Sequence, residues 1–469
     1  MILLKKIIIE SLESSQKTAI LNDGKLEEIY IDNTIEKSIV SNIYRGVVQK
    51  VLPGMNACFV DIGKEKNAYL KLDNESSLKT GDDVLVQVIK DEIGTKGAKI
   101  SQEISFSGRY LVYIPSNTRV TMSNKIVDEK ERLRLKRLFY TNCKNETGYI
   151  IRTEAQGCSM EDFKNDIKEL KSLYANVEKE FKRGKGPKLL YTASDTAIKY
   201  VRDNISDEIE TIITNDENKY NDLREILKEI DRKYLDVLKL DKNVDVFNVY
   251  GVEAQLNRYL SKKVWLKSGG YLIIEKTEAL TVIDVNSGKF TGGAKLANTA
   301  MKINEEAARE IVNQIIVRDI AGIIIVDFID DQIVSSSKKK LLNIMKEEFK
   351  KDKRKNEVKG MTSLGLVEIS RRREKEPLED YFFSDCKRCG SKYGDLSINS
   401  ILDLIEKKIM NISRNTVYKK VKLVFNPSIK PNIINNYMNI IKKIGLKYRV
   451  EIEIAESTDV KDFAVEIVK

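Results

Sequence analysis

The chain has 469 residues, a net charge of +10 from 81 lysines and arginines against 71 aspartates and glutamates, and no histidine. So long a chain exceeds what one hydrophobic core supports, and we expect roughly three or more domains. The lack of histidine excludes imidazole as a general base, so a hydrolase of this composition must activate water through carboxylates or through a metal that carboxylates hold.

The net charge, the cysteines and the apolar segments of the chain indicate its binding partner and its cellular compartment. The basic excess favours an anionic partner such as nucleic acid, although many basic proteins bind no polymer. Cys58, Cys143 and Cys158 are scattered singly among apolar or small residues, which predicts buried, inert thiols. Residues 1–10 are apolar but carry two lysines and no cleavage site, so they predict a strand. No run approaches the ~20 apolar residues of a membrane span, and we expect a cytoplasmic protein.

Residues 36–103 hold short strands separated by turn signals, which predicts a small barrel. Phe59 and Tyr69 lie in these strands among several lysines, an arrangement typical of a platform on which single-stranded bases stack. Alternatively, both rings belong to the barrel core.

Residues 104–197 predict a second compact unit, with a helix from about Met160 to Lys182. A strand within 148–154 ends at Arg152 and Thr153, where a guanidinium beside a hydroxyl suits a phosphate. Such a pair alone is weak evidence. Helical patterns dominate from about 195 to 237.

Residues 259–334 alternate strand, strand, helix and strand, with the strands at 271–275, 280–285 and 323–328. This order predicts an α/β unit in which Asp284 and Asp327 lie at the carboxyl ends of neighbouring strands, where such sheets place ligands. Basic clusters follow at 338–340, 350–355 and 371–373. They predict either a solvated face or a track for a polyanion.

Asp284 and Asn286 are two residues apart on one strand, so their side chains leave the same face. Together with Asp327 they offer hard oxygen ligands suited to Mg²⁺, which polarises a phosphoryl oxygen and activates water. Asp330 and Asp331 are weaker alternatives in the following turn. The segment from Asp284 to Gly288 also fits a plain strand-ending turn.

Cys386 and Cys389 have the spacing that lets both thiolates reach one zinc ion, and Gly390 permits a tight turn around it. Structural zinc takes four ligands, so a site shared by two chains is expected, which predicts at least a homodimer. The alternative is a redox pair, but this pair follows a loop where a redox pair should follow a strand. From about Ser397 onward, helix and strand patterns alternate and predict a small terminal domain.

Several segments in this order resemble the bacterial ribonuclease E/G endoribonucleases: residues 251–256, 268–275, 277–280, 283–287, 322–330, 364–371 and 386–390. Residues 44–48 and 58–63 also resemble an S1-type, RNA-binding OB fold. The chain ends at Lys469 without the long arm of ribonuclease E proteins that gathers other degradation enzymes, which favours a compact, ribonuclease-G-like member.

The resemblance implies a multidomain fold of the α/β and α+β classes. Its expected parts are a ribonuclease-H-like subdomain (1–35 plus 198–258), an S1-type OB barrel inserted in it (36–103), a 5′-sensor domain (104–197), a DNase-I-like catalytic subdomain (259–377), a zinc link (378–395) and a small α/β C-terminal oligomerisation domain (396–469).

The resemblance also implies residue roles. Asp284 and Asp327 match the magnesium-holding aspartates and Asn286 an orienting asparagine, while Arg152 and Thr153 match the pair that binds a 5′-monophosphate. The RNA-gripping positions of the barrel match Phe59, Tyr69 and Lys96, with Tyr69 standing where some members have phenylalanine. Cys386 and Cys389 match a zinc link between protomers that pair again into a tetramer.

The implied activity is magnesium-dependent cleavage of single-stranded, A/U-rich RNA, favoured by a 5′-monophosphate and leaving 5′-phosphate and 3′-hydroxyl ends, in rRNA processing and mRNA turnover. One departure concerns the loop 119–126, which lacks the paired glycines common in the family, so 5′-end recognition is open. The alternative function is a non-catalytic RNA-binding scaffold.

Overall fold

A computed structural model describes residues 4–35, 37–72, 78–92, 96–143, 146–288, 296–329, 335–374, 376–386, 389–391 and 393–468. The chain divides into two compact units, Met1–Ile35 with Ser206–Lys469, and Glu36–Ile205. Among the described residues, no helix combines the length and the apolar character that crossing a membrane requires.

The strands, in chain order, are β1 (Lys5–Ser11), β2 (Ser15–Asn22), β3 (Lys25–Asn33), β4 (Ile43–Leu52), β5 (Ala57–Asp61), β6 (Ala68–Lys71), β7 (Asp83–Lys90), β8 (Lys99–Ser101), β9 (Phe106–Ser107), β10 (Leu111–Tyr113), β11 (Val120–Met122), β12 (Tyr149–Ile151), β13 (Lys188–Tyr191), β14 (Ile209–Thr214), β15 (Leu238–Leu240), β16 (Lys263–Trp265), β17 (Tyr271–Lys276), β18 (Leu280–Asn286), β19 (Gly322–Asp327), β20 (Asn356–Met361), β21 (Val367–Arg371), β22 (Phe383–Ser384), β23 (Asp395–Leu396), β24 (Lys420–Phe425), β25 (Glu451–Glu456) and β26 (Phe463–Ile467).

The α-helices are α1 (Glu129–Asn142), α2 (Met160–Lys182), α3 (Thr196–Asn204), α4 (Glu217–Ile230), α5 (Val246–Val249), α6 (Val252–Tyr259), α7 (Leu296–Val317), α8 (Ser335–Phe349), α9 (Leu378–Phe382), α10 (Ile398–Asn415), α11 (Lys430–Asn432) and α12 (Met438–Tyr448). Short 3₁₀ turns lie at Pro53–Met55, Thr153–Ala155 and Arg232–Val237, and a π-helical turn at Ile433–Tyr437.

The unit Glu36–Ile205 contains a closed five-stranded barrel, which confirms the predicted barrel. Its strands run β4-β5-β6-β8-β7, and β7 pairs back to β4. Alternate residues of each strand point inward, so Val60, Leu70, Val86 and Ile100 share one core. β13 adds a further strand by pairing antiparallel with β4.

The same unit contains a four-stranded sheet of order β11-β12-β10-β9, packed against α1 and α2. The helix predicted from Met160 to Lys182 is confirmed as α2, which begins with a capping box between Ser159 and Asp162. The prediction of a loop at 119–126 is wrong in part, because Val120–Met122 forms β11. This strand pairs parallel with β12, and a partner 29 residues away is invisible to local sequence patterns.

The first sheet of the other unit has the order β15-β14-β1-β2-β3. The strand predicted for the start of the chain is confirmed as β1, which runs parallel to β14 and antiparallel to β2. The helical pattern predicted to dominate 195–237 is confirmed by α3 and α4, and β14 lies between them as a strand that was not predicted. The β-branched residues of that strand are buried between neighbouring strands, where sheet pairing decides the conformation.

The second sheet of this unit has the order β16-β17-β18-β19-β21-β20. α7 and α8 cover one of its faces, where Ile283, Val285, Ile324 and Val326 are buried with apolar residues of both helices. Because side chains alternate along a strand, the residues directly before and after each of these four point to the opposite face. That second face, called the open face below, carries Asp284 and Asp327, which are both exposed.

The C-terminal part of this unit has a three-stranded sheet of order β25-β24-β26 packed against α10 and α12. The predicted alternation of helix and strand is confirmed, with β26 as an additional strand. A network of buried charges joins α10 to the first sheet: Lys17 lies 2.7 Å from Asp403, and Lys407 lies 3.2 Å from Glu10.

Candidate active site

Asp284 and Asp327 are direct neighbours across two parallel strands. Their Cα atoms are register partners between β18 and β19. Paired residues of adjacent strands point to the same face, and the strands lie about 4.8 Å apart. Both carboxylates therefore stand side by side on the open face, as the sequence predicted.

Asn286 joins this pair from the end of β18. Its Nδ2 donates a hydrogen bond of 2.7 Å to Oδ2 of Asp284. The bond turns the amide oxygen away from the carboxylate, where it can accept a hydrogen bond or face a cation. The three side chains predicted to converge are thus found on one face of two strands.

The donor set fits a magnesium ion that substrate and water complete. Mg²⁺ is commonly held by one or two carboxylates, with the remaining positions taken by water and phosphate oxygens. Within the described part of the chain, no group of three or more histidine, cysteine, aspartate or glutamate side chains is placed to hold a metal. The chain thus offers a pair of carboxylates here, and Asp330 and Asp331 lie outside the described residues.

The basic clusters near this site, which predict either a solvated face or a track for a polyanion, differ from one another in exposure and in pairing. α8 packs on the face of the sheet opposite the carboxylates, through Leu341, Met345 and Phe349. Arg371 is buried, with its Nε 2.7 Å from Asp352 and its Nη1 2.7 Å from Asp319. Lysines of the clusters also pair with acids, as Lys340 does with Glu305, Lys351 with Glu348 and Lys353 with Glu28.

On the barrel, Phe59 and Tyr69 are register partners of β5 and β6, with ring centroids 6.3 Å apart. Both are half-buried, whereas the core side of these strands is occupied by Cys58, Val60, Ala68 and Leu70. The alternative that both rings belong to the barrel core is therefore wrong.

Lysines continue the row that the two rings form. Lys50 of β4 is the register partner of Phe59, and Lys99 of β8 is the partner of Tyr69. Both are exposed, as is Lys96 just before β8. The adjacent strands β4, β5, β6 and β8 thus present a row of four side chains on the barrel surface, with a lysine at each end and the two aromatic rings between them. Sequence analysis missed Lys50 and Lys99, because only the register brings them beside the rings.

Arg152 is held firmly at the end of β12. Its Nη2 donates a hydrogen bond of 2.7 Å to Asp203, its Nε lies 3.3 Å from Glu154, and its Nη1 donates to the carbonyl of Gly108. Although burial opposes it, the hydrogen bond and charge of Asp203 raise the pKa of Arg152. The guanidinium is thus charged and oriented, but a carboxylate partly neutralises it.

Thr153 lies beside Arg152 and contacts the segment 119–126. Its hydroxyl is 2.9 Å from the hydroxyl of Ser123, which brings two hydroxyl groups together near the guanidinium. Asp166 fixes the neighbouring turn by accepting hydrogen bonds from the backbone amides of Arg109, Tyr110 and Leu111. Sequence analysis missed Ser123, Asp166 and Asp203, since their roles depend on contacts between distant segments.

Cys386 and Cys389 lie between β22 and β23. The prediction that the pair follows a loop is wrong, because α9 and the short strand β22 precede it, and β22 forms only by pairing with β23. The amide of Gly390 donates to the carbonyl of Cys386 at 2.8 Å, and the amide of Cys386 donates to the carbonyl of Ser391 at 2.9 Å. A hydrogen bond with the Ser391 hydroxyl lowers the pKa of the Cys389 thiol. Cys389 is exposed, whereas Cys58, Cys143 and Cys158 are buried, as predicted.

The chain is similar to known proteins over most of its length. The model of the "Ribonuclease E/G family" matches residues 105–374. Ribonuclease G of Haemophilus influenzae is 34% identical over 467 residues, which cover 95% of this chain and 94% of that protein. Ribonuclease G of Escherichia coli K12 is 33% identical over 429 residues, 87% of this chain and 88% of that protein. Ribonuclease E of a Nostoc species is 33% identical over 408 residues, 82% of this chain and 58% of that protein.

Proposed function

The chain belongs to the ribonuclease E/G family of endoribonucleases, and we propose that it cleaves single-stranded RNA with Mg²⁺ held by Asp284 and Asp327. The observation that carries this proposal is the side-by-side placement of the two carboxylates, with Asn286 bonded to one of them. Family membership in endoribonucleases sets aside the alternative of a non-catalytic scaffold.

The proposed reaction is hydrolysis of a phosphodiester. A magnesium ion bound at the pair would polarise the scissile phosphoryl oxygen and lower the pKa of the attacking water. The water oxygen bonds to phosphorus, the bond from phosphorus to the 3′ oxygen breaks, and the proton passes to that oxygen. The products are a 5′-phosphate and a 3′-hydroxyl. The amide of Asn286 holds the Asp284 carboxylate in one orientation and offers its oxygen to the water or the ribose.

Substrate preference is assigned to the unit Glu36–Ile205. We propose that the barrel is an S1-type OB domain that grips a single strand by stacking bases on Phe59 and Tyr69, while Lys96 contacts phosphate. Strands rich in A and U suit this mode because they form weak internal structure. Arg152 and Thr153 are proposed to bind a 5′-monophosphate, for which the phosphate must compete with Asp203 for the guanidinium.

The assembly proposed for the chain uses the cysteine pair. Cys386 and Cys389 of two protomers would supply the four thiolates of a structural zinc site, giving a homodimer or a homotetramer in which residues 396–469 contribute to oligomerisation. The remaining subdomains are proposed as ribonuclease-H-like (1–35 plus 198–258), 5′-sensor (104–197) and DNase-I-like (259–377). We assign the protein to rRNA processing and mRNA turnover in the cytoplasm.

One cleavage assay tests the proposal. The substrate is a short, single-stranded, A/U-rich RNA labelled at its 3′ end, carrying either a 5′-monophosphate or a 5′-hydroxyl, and incubated with Mg²⁺ or with EDTA. We expect cleavage only with Mg²⁺, faster on the monophosphate, and a 5′-phosphate on the labelled product. Cleavage in EDTA would refute the metal site, and equal rates on both substrates would refute the sensor.

A further inference from the structure

A second aromatic and cationic surface lies on the open face of the catalytic sheet. Trp265 of β16 and Tyr271 of β17 are register partners, and their ring centroids are 5.2 Å apart. The ammonium of Lys263 lies 4.1 Å from the centroid of the Trp265 ring and 3.7 Å from that of Tyr271. We call these three residues the β16 platform.

The register of the sheet places the β16 platform beside the candidate active site. Tyr271 is the register partner of Asn286, so the two side chains stand next to each other on the open face. In the adjoining row, Lys263 pairs with Ile273, which pairs with Asp284. On this one face, the first row therefore leads from the platform to Asn286, and the second leads to Asp284 and its neighbour Asp327.

The platform is held in place relative to Asn286. The strand end at Trp265 is fixed by a hydrogen bond of 3.2 Å from Arg258 to the Trp265 carbonyl. The hairpin between β16 and β17 packs tightly against the end of β18: a Cβ atom on Gly270 would lie 2.8 Å from the carbonyl oxygen of Asn286. Such contact leaves the platform little freedom to shift from the site.

The platform is open to solvent at Trp265, whereas Lys263 and Tyr271 are half-buried. Trp265 is 56% exposed, although its strand neighbours Val264 and Leu266 are buried in the core. Trp265 and Tyr271 together form a contiguous aromatic surface beside the candidate active site, and exposed apolar surfaces rimmed by polar residues mark binding sites. A lysine over the rings adds a positive charge, which suits a polyanion better than the apolar face of a second protein subunit.

We infer that the β16 platform stacks a base of the RNA strand next to the scissile phosphate. This inference rests on the proposed function and deepens it, since it adds a base-binding subsite on the catalytic sheet to the one proposed on the barrel. Every base has a π face, so the subsite is tolerant of sequence, and the Lys263 ammonium supplies a positive charge beside the stacked base. Its role is to hold the strand in position over Asp284 and Asp327.

Trp265 is the single tryptophan of the chain, so its fluorescence reports on this surface alone. The experiment titrates the full-length protein with a single-stranded RNA of about ten nucleotides, in EDTA to prevent cleavage. Binding is followed in parallel by the anisotropy of a label on the RNA. We expect RNA to quench the fluorescence of Trp265 saturably. The RNA concentration at half-maximal quenching should equal the midpoint of the anisotropy curve. Binding by anisotropy with unchanged tryptophan fluorescence would overturn the inference and leave the proposed function intact.

Variants give a second readout. Trp265→Ala should raise the KM for cleavage and the Kd for RNA roughly tenfold, within the range that alanine substitution gives at stacking platforms. Trp265→Phe should recover most of this loss. The matched control is Tyr234→Ala, which removes a ring that also carries a lysine, Lys233 at 4.8 Å, on another surface of the unit. A Trp265→Ala variant with unchanged Kd, or with a lower oligomeric mass and otherwise normal RNA binding, would contradict the inference and identify a subunit contact instead.

Discussion

The guanidinium of Arg152 donates a 2.7 Å hydrogen bond to the carboxylate of Asp203, at the site proposed to bind a 5′-monophosphate. The contact orients the guanidinium and at the same time reduces its net attraction for an anion.

Removal of the guanidinium should abolish the preference for monophosphorylated RNA. Hydrogen bonds to a charged partner contribute about 1.5–3 kcal/mol, so Arg152→Ala should slow cleavage of the monophosphate substrate by about tenfold or more. Cleavage of the 5′-hydroxyl substrate should stay the same. The comparison is made on paired substrates, with Arg183→Ala, an exposed arginine that pairs with Glu180, as control. A retained preference would show that another group reads the 5′ end.

Neutralisation of Asp203 should have the opposite effect. Asp203→Asn keeps an oxygen that can accept the hydrogen bond from Arg152 but removes the negative charge. The ratio of rates on monophosphate and hydroxyl substrates should therefore rise, by about two- to fivefold for a partly screened charge. A fall in the ratio would mean that Asp203 acts mainly by orienting Arg152.

The buried carboxylate of Glu10 predicts a pH dependence of stability. Burial raises its pKa from 4.5 to about 7, although Lys407 and Lys17 oppose the shift. Because this pKa lies above the ordinary value, the folded chain binds more protons between pH 4.5 and 7, and stability falls as the pH rises through that window.

The Glu10→Gln variant should remove this loss. Its apparent unfolding temperature should match that of the wild type near pH 4.5 and exceed it at pH 8. At pH 8 the charged Glu10 lowers the free energy of unfolding of the wild type by up to about 3 kcal/mol. Thermal unfolding at both pH values measures this difference. Glu208→Gln, which removes an exposed carboxylate paired with Lys5, is the control and should show no such trend. A variant less stable than the wild type at pH 8 would contradict the assigned cost.

The zinc link predicts a change of mass. The double variant Cys386→Ala with Cys389→Ala should lose bound zinc and lower the oligomeric mass measured by light scattering, because each chain supplies half of the ligand set. The neighbouring exposed Asp385→Asn is the control. An unchanged mass would remove the argument for a site shared between chains.

The sequence was sufficient to predict the carboxylate site for a physical reason. Asp284 and Asp327 each interrupt an apolar strand near its carboxyl end, and the alternation of a strand dictates which face they take. The helix α2 was equally predictable, because its apolar residues repeat with helical spacing and its cap lies in the local sequence.

Other features depend on contacts that no local pattern contains. Arg371 belongs to a run of three arginines, which predicts that it faces solvent or RNA. It is instead buried and forms ion pairs with Asp319 and Asp352, which lie 52 and 19 residues away in the sequence. The β16 platform was missed for the same reason. Only the strand register shows that Trp265 lies beside Tyr271, and that Tyr271 lies beside Asn286. Charge runs and single aromatic residues are thus the weakest signals in this sequence.

Whether Asp284 and Asp327 hold the catalytic magnesium is tested by measuring both RNA cleavage and RNA affinity of the Asp284→Asn variant with Mg²⁺. The metal contribution amounts to several kcal/mol, so cleavage should fall by at least about 100-fold while the Kd stays close to that of the wild type. Glu368→Gln, another exposed carboxylate on the open face of the same sheet, should cleave normally. Turnover that survives in Asp284→Asn would contradict the assignment of the metal site to Asp284 and Asp327.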